Sequence, residues 1–130
     1  MAGRVRAVLD TSVVIATDVE PLAGELAISA ATLAEFHFGV LVARSPAVRA
    51  ERLRRLSLIQ SRFDPLPVDG AVAAAYGRLA AAVAETGRSP RPRVMDLLIA
   101  ATADANGARL YTRNAADLSG LDTLLEIVAV

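Results

Sequence analysis

Four acidic residues and one asparagine stand where chemistry is done in layered α/β proteins. Asp10 ends the short apolar-rich run Val5-Arg6-Ala7-Val8-Leu9. Glu35 opens a helical pattern after the apolar stretch Leu26–Ser29, and Asp96 lies at the start of another helix. Asn114 and Asp117 follow the run Arg109-Leu110-Tyr111-Thr112. In an open α/β sheet, sites form beyond the carboxyl ends of the strands. If three carboxylates converge there within about 5 Å, each pair repels by roughly 3 kcal/mol at an effective dielectric of about 20. That total rivals the stability of a whole domain. Such a site must protonate a member or bind a cation. Oxygen-only donors select hard ions, so Mg²⁺ or Mn²⁺ is expected. These ions polarise a phosphoryl oxygen and activate water, so the cluster predicts metal-assisted phosphodiester hydrolysis.

Each acid also has a plainer reading. Thr32 and Glu35 match a Ser/Thr-x-x-Glu capping box. Asp96 is acceptable as an N-cap, and acids favour helix N-termini in any case. Asp117 fits a solvated turn. Asp10 resists dismissal, because Val-Leu-Asp-Thr-Ser puts a charge at the mouth of a buried strand. The shared placement of these residues favours a site over separate structural roles.

The elements that must position them form an alternating pattern. Val5–Leu9 reads as a buried strand, and Thr11 and Ser12 as a cap before the helical Val13–Ala16, with Pro21 as a break. Leu26–Ser29 is a second strand, followed by a helix from Thr32 to about Ala43 and another over Ala47–Ser61. Phe63–Val68, with two prolines, is an edge strand at best. Asp69 caps an alanine-rich helix ending at Gly87, and Arg88–Arg93 is a loop. The helix opened by Asp96 stops at Asn106-Gly107. Arg109–Thr112 is a strand, Ala115–Leu118 a helical turn and Leu124–Val128 a last strand. Apolar strands separated by helices predict an α/β fold with a parallel sheet covered on both faces.

Composition narrows the chemistry. The 130 residues make one domain, over 1–130, with 54% hydrophobic and 22% charged residues, which excludes a disordered tail. Without cysteine there is no disulfide framework, thiolate metal site or thiol nucleophile. All 14 basic residues are arginine, so lysine Schiff bases and a P-loop lysine are excluded. His37 is the single histidine, so a two-histidine ribonuclease mechanism is excluded, and its spacing from Glu35 fits a structural or interface role. The zero net charge argues against a cationic coat but allows a local basic patch. The apolar runs are too short for a membrane span or a signal-peptide core, so a soluble, cytoplasmic protein is expected. Five aromatics, mostly at core-like positions, argue against a base-stacking platform.

The sequence resembles PIN domains in four blocks, and is most similar to the VapC-type toxins of bacterial toxin–antitoxin pairs. The blocks are Val8-Leu9-Asp10-Thr11-Ser12; Ile28-Ser29 through Thr32-Leu33-Ala34-Glu35-Phe36 with Gly39; Asp96-Leu97-Leu98-Ile99-Ala100-Ala101-Thr102-Ala103; and Tyr111-Thr112-Arg113-Asn114 with Asp117-Leu118. Together, in order and spacing, they are specific. The resemblance implies a three-layer α/β/α sandwich with a mostly parallel sheet. It implies a Mg²⁺- or Mn²⁺-dependent endoribonuclease, a homodimer, and inhibition by a cognate VapB-type antitoxin. Carried over, Asp10 and Asp96 would ligate the metal directly, and Glu35 would complete the set or act through a water. The family's fourth acid falls where this chain has Asn114, and Asp117 is then the candidate for the missing carboxylate.

Ser12 and Thr112 are hydroxyl partners for those ligands or for a scissile phosphate. Arg91, Arg93 and Arg113 are the candidate RNA contacts, while Arg88 and the arginines at 49, 52, 54 and 55 read as solvated. The rival is a catalytically weak PIN-like module that binds a protein or RNA, kept open by Asn114. An apolar seam of Phe36, Val40, Leu41, Leu53 and Leu56 is the candidate groove for an amphipathic partner helix.

Overall fold

The structure is a computed structural model that describes residues 6–15, 22 and 24–130. Val5, Ala16 and Pro21, named above in the first strand, the first helix and its break, lie outside the described residues. Four strands, β1 (Arg6–Leu9), β2 (Glu25–Ala27), β3 (Arg109–Thr112) and β4 (Ile127–Ala129), form one sheet in the order β2-β1-β3-β4. Every pairing is parallel. Among the described residues five α-helices accompany it: α1 (Thr11–Val14), α2 (Ala30–Leu41), α3 (Pro46–Arg62), α4 (Gly70–Glu85) and α5 (Val94–Ala105).

The period of two along the strands divides the core. Val8 and Leu110 face Leu79, Val83, Leu97 and Ile99, so α4 and α5 cover one face. Ala7, Leu9 and Tyr111 face Val13, Ile28 and Ile59, with Phe36 and Phe63 packed alongside, so α1, α2 and α3 cover the other. This is the expected three-layer sandwich. The β1–β2 and β1–β3 pairings lie on opposite sides of β1. The direction of chain travel across the sheet therefore reverses at the β1/β3 junction, where a crevice opens beyond the carboxyl ends. No described helix is long and apolar enough to cross a membrane.

Several local expectations change. The cap of α1 is Asp10, whose side chain accepts from Thr11 N, in place of Thr11 or Ser12. The α2 helix begins two residues before Thr32, because Ser29 accepts from Ala31 N and Ala30 N is tied to Leu66 O. Thr32 is therefore buried inside the helix and no capping box forms. Glu35 lies in the second turn of α2, beyond the first turn where sequence had placed it. Asp96 falls in the first turn of α5, with Arg93 at the cap position, so Asp96 is no N-cap. Leu66 makes an isolated bridge to Ser29 and the 63–68 segment forms no strand. The last strand starts at Ile127, three residues later than the apolar pattern suggests.

The expected apolar seam is also redistributed. Val40 and Leu56 are buried and Phe36 packs against the core, while Leu41 and Leu53 are exposed. Phe38 is 66% exposed, and Val42 and Val48 join it at the surface. Arg49 and Arg52 are exposed but not idle: they donate to Ala43 O and Gly39 O, at the C-terminal end of α2. Cations there satisfy terminal carbonyls and oppose the helix dipole.

Candidate metal centre and acidic cleft

The β1/β3 junction places Asp10. Its backbone N–H extends the ladder to Tyr111 O at 2.9 Å, and the residue is 7% exposed. A nearly buried carboxylate needs donors. Thr11 N donates to Oδ1 at 2.8 Å, and Ser12 Oγ and Thr112 Oγ1 donate to Oδ2 at 3.0 and 2.8 Å. A carboxylate offers about four lone-pair sites, so these donors leave capacity for a further bond. Thr112 is fully buried and offers no surface to a substrate. Ser12 Oγ also accepts from Arg113 N, at 3.1 Å. Both hydroxyls thus hold Asp10, one of the two roles sequence allowed them.

Glu35 reaches the same place from α2. Thr11 Oγ1 donates to Glu35 Oε1 at 2.7 Å. Asp96 comes from the opposite layer, at the N-terminal end of α5. A cleft of about 350 Å³ is lined by Glu35 and Asp96 together with Arg91, Pro92, Val94 and Met95. Asp96 senses the other acids. The Asp96 carboxyl is raised above its ordinary value, first by desolvation and then by the charges of Asp10, Glu35 and Asp117, with Arg93 pulling the other way. The residue itself is exposed and lines the cleft.

Arg93 donates to the Asp117 backbone carbonyl, which ties the start of α5 to the 3₁₀ turn Ala115–Leu118. That engagement makes Arg93 a structural clamp as well as a candidate RNA contact. Arg88, read as solvated, donates to Ser119 Oγ at 3.3 Å. Asn114 donates its backbone N–H to Thr112 Oγ1 at 3.0 Å, and its side chain caps nothing. His37 is exposed and absent from the cleft lining.

Among the described residues, no three acidic or histidine side chains stand close enough to hold a metal ion as placed. The donor set nevertheless fits a hard divalent cation: carboxylate oxygens only, mutually repelling, with lone pairs left on Asp10. Sequence reasoning missed Thr11 and Thr32, whose hydroxyls lie 3.3 Å apart beside Glu35. The signal available was a hydroxyl next to Asp10 and another three residues before Glu35.

Comparison with known proteins gives this arrangement a lineage. The sequence profile of the PIN domain matches residues 7–119. Ribonuclease VapC5 of Mycobacterium tuberculosis is 38% identical over 131 aligned positions, covering 95% of this chain and 94% of that protein. Ribonuclease VapC4 of the same organism is 41% identical over 117, covering 84% and 86%. Among solved structures, the VapBC-5 toxin–antitoxin complex of M. tuberculosis superposes with a TM-score of 0.83 at 38% identity, covering 96% of this chain and 98% of its counterpart. A profile match over most of the length, and relatives this similar over nearly their whole length, establish that the chain belongs to the PIN domain family.

Proposed function

We propose that this chain is a metal-dependent endoribonuclease toxin, cytoplasmic and neutralised by a cognate VapB-type antitoxin. The observation that carries the reading is the open cleft lined by Glu35 and Asp96, where the charges of Asp10, Glu35 and Asp117 reach Asp96. The names of its relatives, ribonucleases VapC5 and VapC4, support the same activity.

Asp10, Asp96 and Glu35 are the residues that would hold Mg²⁺ or Mn²⁺. When bound, the ion supplies Lewis-acid stabilisation of the phosphate and lowers the pKa of an attacking water. The chain's own residues do the rest. Ser12, Thr112 and Thr11 N fix both oxygens of Asp10. Arg91 lines the cleft beside Asp96 and can grip an RNA phosphate, with Arg113 exposed near Ser12. These are backbone contacts, which give affinity without sequence choice. With His37 outside the cleft, the proton from the attacking water falls to a carboxylate. An anionic substrate entering an acidic cleft is repelled until a cation is present, so binding and catalysis share one requirement.

The rival reading, a PIN-like module that only binds, rested on Asn114. Asp117 is near enough to raise the Asp96 pKa, which supports it as the fourth carboxylate and weakens that rival. The decisive assay is cleavage of bacterial RNA by partner-free protein with Mn²⁺ or Mg²⁺. Discrete fragments that vanish with chelator are expected. A folded protein that cleaves nothing with either ion would return the weight to the binding module.

The antitoxin is proposed to lay an amphipathic segment on the hairpin of α2 and α3, where Phe38, Leu41, Val42, Val48 and Leu53 are exposed. Leu41→Asp with Leu53→Asp should weaken antitoxin binding at least about tenfold, as for centrally placed apolar anchors. The fold should persist, because Leu41 is largely and Leu53 half exposed, with a modest stability loss from the acid placed at the C-terminal end of α2. Titration of the antitoxin by calorimetry reads the loss, and unchanged affinity removes this face from the interface. The chain is further proposed to act as a homodimer, which sedimentation of the purified protein reads directly.

A further inference from the structure

We infer that Thr11 is a positioning residue that locks Glu35 onto Asp10. This rests on the metal-centre reading above and deepens it.

Thr11 contacts two acids that come from different elements. Its backbone N–H donates to Asp10 Oδ1 at 2.8 Å, which fixes the first acid at the mouth of β1. Its hydroxyl donates to Glu35 Oε1 at 2.7 Å, which fixes the second on α2. A hydroxyl carries one proton. Both Glu35 Oε1 at 2.7 Å and Thr32 Oγ1 at 3.3 Å are acceptors within its reach, and the single proton goes to the shorter, charged partner. Thr32 is fully buried one turn before Glu35, so its hydroxyl is held in place.

The geometry has a clear purpose. Asp10 and Glu35 repel, and an unrestrained glutamate on a helix turns outward to water. The Thr11 hydroxyl is the group that holds one Glu35 oxygen inward, while its own backbone holds Asp10. Because a carboxylate has two oxygens, Glu35 keeps the other for the cleft it lines. Serine retains the hydroxyl, and valine matches the shape without it. The residue type is therefore testable.

The test uses the full chain and Mn²⁺ alone as probe, with binding read by titration calorimetry and RNA cleavage read separately. Thr11→Val should weaken Mn²⁺ binding roughly 10- to 100-fold, the usual loss when a group orienting a metal ligand is removed. Thr11→Ser should restore binding to within about threefold. In a Glu35→Ala background, which removes the acceptor, Thr11→Val should produce no further loss, because the residue acts through Glu35. A merely structural threonine gives a different pattern: additive losses, or a lowered melting temperature with unchanged Mn²⁺ affinity. Either result overturns the inference. If Thr11→Val does not fold, Thr11→Ala is judged by the same criteria. A wild-type protein that binds no Mn²⁺ overturns the metal-centre reading itself, and this inference with it. Wild-type binding that Thr11→Val leaves intact overturns this inference alone.

Discussion

Replacing Asp96 by Asn is expected to lower RNA cleavage by roughly 10²–10³-fold, the range seen when one preorganised group is removed from a site of developing charge. The same change should stabilise the metal-free protein. Desolvation, then Asp10, Glu35 and Asp117, raise the Asp96 pKa in the folded state. A carboxyl raised on folding contributes stability that is fully present below its unfolded pKa. That contribution is lost as pH rises through the folded value. At neutral pH the ionised Asp96 is thus a net cost. Because the residue is exposed, solvent screening limits that cost to about 1 kcal/mol or less. The melting temperature of Asp96→Asn should exceed wild type by a few degrees at pH 7, and the gap should close below about pH 4. Saturating Mn²⁺ should reverse the order, because only the wild type keeps the full ligand set. Equal melting temperatures at every pH would mean that the acids do not repel as described.

Thr112→Val should be costly in both stability and activity. Thr112 is fully buried, and its hydroxyl donates to Asp10 Oδ2 at 2.8 Å while accepting from Asn114 N at 3.0 Å. Valine preserves shape but leaves a nearly buried carboxylate short of a donor. Hydrogen bonds to charged groups contribute about 1.5–3 kcal/mol. We expect a loss of about 2 kcal/mol in denaturant unfolding and a 10- to 100-fold fall in Mn²⁺ affinity. Thr112→Ser should recover most of both. A Thr112→Val protein with wild-type stability would show that Asp10 finds its donors elsewhere.

Sequence made some of this legible for physical reasons. Val8-Leu9-Asp10 read correctly because a charge closing an apolar strand has few structural explanations, and Asp10 does lie at the carboxyl end of β1. The helix stop at Asn106-Gly107 also read correctly, since Gly107 adopts a positive φ of 62° that other residues avoid. Glu35 was harder. Two hydroxyls, Ser29 and Thr32, both precede it at plausible capping distances, and a tertiary bond from Ala30 N to Leu66 O selects Ser29. The Thr11–Glu35 bond spans 24 residues and leaves no local pattern. Around α2, Phe36, Phe38, Val40, Leu41 and Val42 are apolar on almost every side, so helical periodicity could not say which face is buried. The Asn114/Asp117 alternative was open because spacing alone cannot place a turn. In the structure Asp117 lies in the 3₁₀ turn Ala115–Leu118, and its charge reaches Asp96.

The position of β3 between β1 and β4 has a consequence in time. Its partners are far apart along the chain: Thr112 and Asp10 are separated by 102 residues, and the two are bonded directly. During synthesis from the N-terminus, Asp10 and Glu35 emerge early, but β1 lacks its inner neighbour until β3 has left the ribosome. Pairings this remote close late and slowly. The acidic cleft is therefore among the last features to form, and a growing chain carries no assembled nuclease beside the RNA that encodes it.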